Sequence, residues 1–146
     1  MKNSSYLDKP VFVCGHRKAG TTMLINLFDN ASDAVTYPDD SGFFYRYYPR
    51  YETNEYTDEE KITRLCDTII KEKLTEVINN IDCKEDVINQ LRKKQSAFLA
   101  NIQNYNNPGF SYKDILLHFI ECFRQSFYVE LQPEVWIEKT TTTEVY

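Results

Sequence analysis

Cationic and hydroxyl side chains crowd one short stretch of the chain. Arg17-Lys18-Ala19-Gly20-Thr21-Thr22 follows the apolar run Val11-Phe12-Val13-Cys14 and its terminal Gly15. Two positive charges and two hydroxyls at this spacing suit an anion with several oxygens, such as phosphate or sulfate. Two further stretches set ionisable side chains side by side: Asp39-Asp40 ahead of Ser41-Gly42, and Glu138-Lys139-Thr140 near the end of the sequence.

The elements around the first stretch are a strand, a tight turn and a helix. Val11 to Cys14 is a short apolar run, as in a strand buried on both faces of a parallel sheet. The helix is expected from about Gly20 to Asn30, with Leu24, Leu27 and Phe28 on its inner face. Backbone N–H groups at a helix start converge on one point, and the helix dipole adds partial positive charge there. The spacing is that of a phosphate-binding loop, G-x-x-x-x-G-K-[ST], with one departure. Thr21 stands where ATP and GTP hydrolases place their lysine, and the lysine comes three residues earlier, as Lys18.

The Lys18-Ala19-Gly20-Thr21-Thr22 arrangement resembles the 5′-phosphosulfate loop of sulfotransferases that use 3′-phosphoadenosine 5′-phosphosulfate (PAPS). Two other segments look like the same family. Asp40-x-x-Phe43-Phe44 is similar to the Glu-x-x-Phe-Phe element of heparan-type sulfotransferases, and Trp136-Ile137-Glu138-Lys139-Thr140 to their Glu-Lys-[Thr/Ser] segment. Bacterial sulfotransferases carry related versions.

The resemblance implies an α/β chain with a P-loop NTPase-like three-layer fold, a parallel sheet and a helical insertion over about 57–130. It implies transfer of a sulfuryl group from PAPS to a hydroxyl or amine by in-line displacement, with PAP as product and no metal. Lys18 would hold the bridging oxygen and the 5′-phosphate. Ala19, Gly20, Thr21 and Thr22 would supply backbone amides and hydroxyls. Arg17 borders the loop or is a solvated charge. Asp40 would be the general base, with Asp39 able to replace it, and the same pair also reads as a turn before Ser41-Gly42. Lys139 would sit near the sulfuryl group, with Glu138 orienting it or lying on the surface. The acceptor would be a small molecule or a carbohydrate. A P-loop kinase or hydrolase, and a non-catalytic P-loop remnant serving as an interaction module, are the competing readings.

Length and composition set the bounds. The 146 residues fit one domain, 1–146. A net charge of −5 argues against general nucleic-acid binding. No signal-peptide core or membrane-spanning run is visible, so the cytoplasm is the expected location. Cys14, Cys66, Cys83 and Cys122 are widely spaced and read as free thiols. The oligomeric state stays open.

Along the chain, Ala34 to Tyr37 is a second strand that Pro38 should stop. Phe43 to Tyr56 is an aromatic and basic loop that could line an acceptor site or lie over the core. Thr57-Asp58-Glu59-Glu60 has capping-box form and leads an apolar stripe to Ile81. A second helix follows Asp82, and Ser111 caps a third. Val135 to Lys139 is a third strand. Family members bind the donor's 3′-phosphate beyond this point, so the expected sheet is incomplete and the chain reads as an N-terminal portion with weak or no activity alone.

Overall fold

The computed structural model describes residues 5–15, 19–29, 31–48, 56–105, 109 and 111–140. It is an α/β structure with a small parallel sheet. The strands are β1 (Pro10–Cys14), β2 (Ala34–Asp40) and β3 (Val135–Thr140). Their order is β1-β3-β2, with both pairings parallel. The helices are α1 (Thr21–Asn26), α2 (Asp58–Leu65), α3 (Thr75–Asn79), α4 (Glu85–Gln103) and α5 (Tyr112–Phe127). Between α2 and α3 the backbone stays right-handed through a π-helical segment, Cys66–Leu74, so the three pieces form one rod.

The two faces of the sheet bury different clusters. Side chains alternate along a strand. Ala34 and Ile137 therefore face α1, where they pack with Val13 and Ile25. Val35, Tyr37 and Trp136 face the helical layer and meet Ile69, Leu74, Phe98, Phe119 and Phe123. The Trp136 indole donates to the Leu7 carbonyl at 3.1 Å, which satisfies its polar end inside an apolar core.

Both expected capping boxes form. Thr57 Oγ1 accepts from the Glu60 N–H while Glu60 accepts from the Thr57 N–H. Ser111 and Asp114 exchange the same pair of bonds at the start of α5. Each box satisfies backbone donors that have no partner within the helix. No helix among the described residues is long and apolar enough to cross a membrane.

Five expectations are corrected. β1 is not buried on both faces: it is an edge of the described sheet, and Val11 and Phe12 are each 41% exposed. Leu24, Leu27 and Phe28 are exposed rather than inward. α1 ends at Asn26, and its buried residues are Thr21 and Ile25, spaced one turn apart. Pro38 does not stop β2, which runs on to Asp40 through an irregularity in its pairing. Proline is tolerated on an edge strand or at a bulge because no ladder bond is lost there. The stretch after Gly42 is not wholly irregular, because Phe43–Tyr47 forms a π-helical turn that buries Phe43 and Tyr47.

Candidate functional site

The three strands end together. β3 is central, and its register sets Lys139 beside Val13 on one side and Asp40 on the other. All three strands are parallel, so their C-terminal ends open onto one edge, where such sheets hold ligands. Gly15 begins the loop there. A Cβ on Gly15 would lie 2.9 Å from the Thr21 Cγ2, so the start of the loop touches the start of α1 and a side chain there would have to displace Thr21. Gly20 closes the turn at φ 81°, a left-handed conformation that favours glycine.

Lys139 carries the central interaction. Its ammonium donates to Thr22 Oγ1 at 2.9 Å and to the Asp39 carboxylate. The lysine is buried. The strand end is thereby joined to the helix that follows the loop. Asp39 meets a second cation, Lys73 of the π-helical segment, at 3.5 Å.

Asp39 holds this place through local strain. From Thr36 to Asp40, β2 spans more residues than β3 does from Ile137 to Lys139, so the chain bulges. Asp39 sits in the bulge at φ 63°, a conformation that aspartate tolerates better than most residues. Burial alone would raise its pKa. The hydrogen bond and charge of Lys139 and the charge of Lys73 outweigh that and hold the carboxyl below its ordinary value.

Asp40 makes a different contact. It is buried, and its Oδ1 accepts from the Gly42 N–H at 2.9 Å, closing a turn in which Gly42 takes φ 77°. The candidate base and the turn-former of the sequence therefore separate in space. Asp39 faces the lysines and Asp40 holds the turn.

Glu138 is fully buried, not on the surface. It accepts from Ser41 Oγ, and Ser41 in turn accepts from the Phe43 N–H at 3.0 Å. Burial pushes its carboxyl up to about 8, against a lowering by the Ser41 hydrogen bond and with a further raising by the Asp40 charge. Glu138 Oε2 and the Tyr37 hydroxyl have no hydrogen-bond partner among the described residues. Glu138 thus ties β3 to the turn after β2 in its neutral form, while the bonds of Lys139 run to Thr22 and Asp39.

The expected site residues divide into three groups. Thr22 and Lys139 come together, with Asp39 between the lysines. Ala19, Gly20 and Thr21 form the turn beside them, and Asp40 is adjacent in register. Arg17 and Lys18, like His16, lie outside the described residues. Lys73 was not among the expected residues, yet its sequence position marks it. It falls four after Ile69 and three after Ile70, on a stripe that is otherwise apolar. A cation on the buried face of a helix needs a partner, and Asp39 is that partner. Among the described residues no group of His, Cys, Asp or Glu could hold a metal ion.

The arrangement can do two things. Two ammonium groups and a hydroxyl around one point can hold a tetrahedral oxyanion. A carboxylate already ionised between them can receive a proton once a lysine turns to another anion. No family model, curated protein or solved structure matches the chain.

Proposed function

We propose that this site belongs to a sulfotransferase that moves a sulfuryl group from PAPS to an acceptor hydroxyl or amine. The observation that carries the reading is the 2.9 Å bond from Lys139 to Thr22. It places the lysine of the Glu-Lys-Thr segment against the hydroxyl of the Lys-x-Gly-Thr-Thr loop, the two segments on which the family resemblance rests. The β1-β3-β2 parallel order with helices packed on both faces agrees with a P-loop-like arrangement.

In this reading Thr21, Thr22 and the amides from Ala19 onward cradle the donor's 5′-phosphate, with Lys18 and Arg17 supplying positive charge. Lys139 leaves Asp39 and turns to the sulfuryl oxygens. The acceptor oxygen attacks sulfur as the bond from sulfur to the bridging oxygen breaks. The electron pair of that bond leaves on PAP, and Lys18 offsets its charge. The acceptor's proton passes to a carboxylate. Asp39 is the better placed of the pair, because Asp40 already holds the Gly42 amide. Release of Lys139 makes Asp39 more basic at the moment a base is needed. The products are a sulfate ester, or a sulfamate from an amine, and PAP.

The test is thermal stability with PAP, AMP and ATP·Mg²⁺ in parallel. A ligand at 100 times its Kd adds about 2.7 kcal/mol, a shift of several degrees. Stabilisation by PAP and by AMP without metal, through the 5′-phosphate they share, is expected. Stabilisation by ATP·Mg²⁺ alone would overturn the reading in favour of a kinase or hydrolase.

A further inference from the structure

Lys73 is a cation on the buried face of a helix. It lies in the π-helical segment Cys66–Leu74, whose Ile69, Ile70 and Leu74 enter the apolar core. Lys73 itself is buried beside them. π-helical winding is rare and occurs mostly as single turns, frequently at functional sites. Stability is a weak reason for such a lysine. Replacing a buried ion pair by apolar side chains of similar volume is often neutral or stabilising.

The partner gives the lysine a use. Its ammonium lies 3.5 Å from Asp39 Oδ2, while Lys139 donates to the other oxygen, Oδ1. Each oxygen of the carboxylate therefore has its own cation, one from the π-helical segment and one from β3. The two cations are not equivalent. Lys139 also donates to Thr22, at the start of the helix that follows the loop. Among the described residues Lys73 pairs with no carboxylate other than Asp39. Lys139 thus has a second partner on the side of the loop, and Lys73 has its place on Asp39.

Asp39 needs a partner outside its own strand. It sits in the bulge at φ 63°, where the ladder does not hold it. Its side chain is 37% exposed, so an oxygen released by Lys139 is open to an incoming molecule. The other titratable groups that feel its charge, Tyr37 of β2 and Tyr45 of the π-helical turn, stay neutral, because burial raises both above the ordinary phenol range. A backbone hydrogen bond from Asp40 assists the two lysines.

We propose that Lys73 is the positioning residue of the base, holding Asp39 by Oδ2 while Oδ1 passes from Lys139 to the acceptor. This role rests on the sulfuryl-transfer reading. When Lys139 turns to the donor, Oδ1 is free to accept a hydrogen bond from the acceptor hydroxyl or amine. As the acceptor atom attacks sulfur, its proton moves to Oδ1. Lys73 stays on Oδ2 throughout and touches neither substrate. It limits the rise in basicity that follows the departure of Lys139, so Asp39 is still ionised at neutral pH when the acceptor arrives.

The experiment is a carbon-13 NMR titration of the Asp39 carboxyl in the full chain. Lys139→Met stands for the state in which Lys139 has left. It is compared with Lys139→Met/Lys73→Met and with Lys139→Met/Lys73→Arg, and circular dichroism melts establish that each folds. In Lys139→Met, Asp39 should titrate no higher than its ordinary 3.8. The methionine double variant should titrate higher by about one pH unit or more, a tenfold change in proton affinity. Arginine should restore the lower value. Titration well above 3.8 in Lys139→Met alone, or equal titration in the two double variants, would overturn the proposal. The wild type gives a second measurement without any variant. On adding PAPS, the nitrogen-15 signal of the Lys139 ammonium should move and that of Lys73 should not. Movement of the Lys73 signal with Lys139 in place would overturn the proposal. PAPS binding with equal titration in the double variants defeats the role of Lys73 and leaves sulfuryl transfer standing. The expected titrations with no PAPS binding defeat sulfuryl transfer and leave Lys73 as the residue that holds Asp39.

Discussion

In the helical layer, Phe98, Phe119 and Phe123 are removed from water and depend on one another only for shape. At the strand ends, Lys139 and Glu138 are buried almost as deeply, and each depends on a particular polar neighbour. The first region gains free energy from every apolar area it covers. The second loses free energy on burial and recovers it through pairing. The helical layer therefore fixes where the strands end, and the strand-end cluster is held in place by it. A change in the layer should act on stability, and a change in the cluster should act on ligand binding and on pH response.

The largest expected effect tests the first half of that contrast. Phe119 packs its ring on Tyr37, Phe43 and Phe98 and is fully buried. Phe119→Ala should cost about 3–5 kcal/mol in urea unfolding, because the cavity cannot close. A loss under 1 kcal/mol would mean that the layer is loosely packed and the contrast is false.

Lys139→Met comes next. Removing one partner of a buried pair costs about 3–5 kcal/mol. Here the cost should fall to about 1–3 kcal/mol, because Asp39 keeps Lys73 and its side chain is 37% exposed. PAPS binding should weaken at least tenfold in the folded variant, because Lys139 is the residue assigned to the sulfuryl oxygens. The stability loss is read from urea unfolding and the binding loss from calorimetry.

The cluster should also show opposing responses to pH. The Glu138 carboxyl is raised to about 8 in the folded chain from an ordinary 4.5. Below 4.5 both states carry the proton. Between 4.5 and about 8 only the folded state does, so stability falls as pH rises, by up to about 1.4 kcal/mol per pH unit. Glu138→Gln should flatten that slope in urea melts between pH 5 and 8. Asp39 has the opposite sign. Its carboxyl is held low by Lys139 and Lys73 against the effect of burial, so its contribution is present above its ordinary 3.8 and lost on acidification through the lower folded value.

The smallest effect returns to the helical layer. Thr57→Ala removes one capping box and should cost about 1 kcal/mol in thermal melts. The PAP response should not change, because Thr57 lies in a different part of the chain from the strand ends.

What the sequence makes legible follows the same division. Helix starts were readable because Thr57 and Ser111 act through residues three positions away. The strands were readable as apolar runs. The outer face of α1 was not: Leu24, Leu27 and Phe28 have helical spacing, but the helix ends before the latter two can turn inward. The site was half legible. Lys139 and Thr22 stand out as residue types, and their meeting depends on parallel pairing. Asp39 and Asp40 are equivalent in sequence. A two-residue bulge at Pro38, a tertiary feature, sends one to the lysines and the other to the turn. Lys73 stands out as a cation in an apolar stripe, but its partner lies on another element and is not readable from the stripe.

The most direct measurement is calorimetric titration of PAPS, without metal, into the wild-type chain and into folded Lys139→Met. The account predicts metal-independent binding to the wild type and a loss of at least tenfold in the variant. Equal affinity in the two proteins, or binding only of ATP with Mg²⁺, would contradict it.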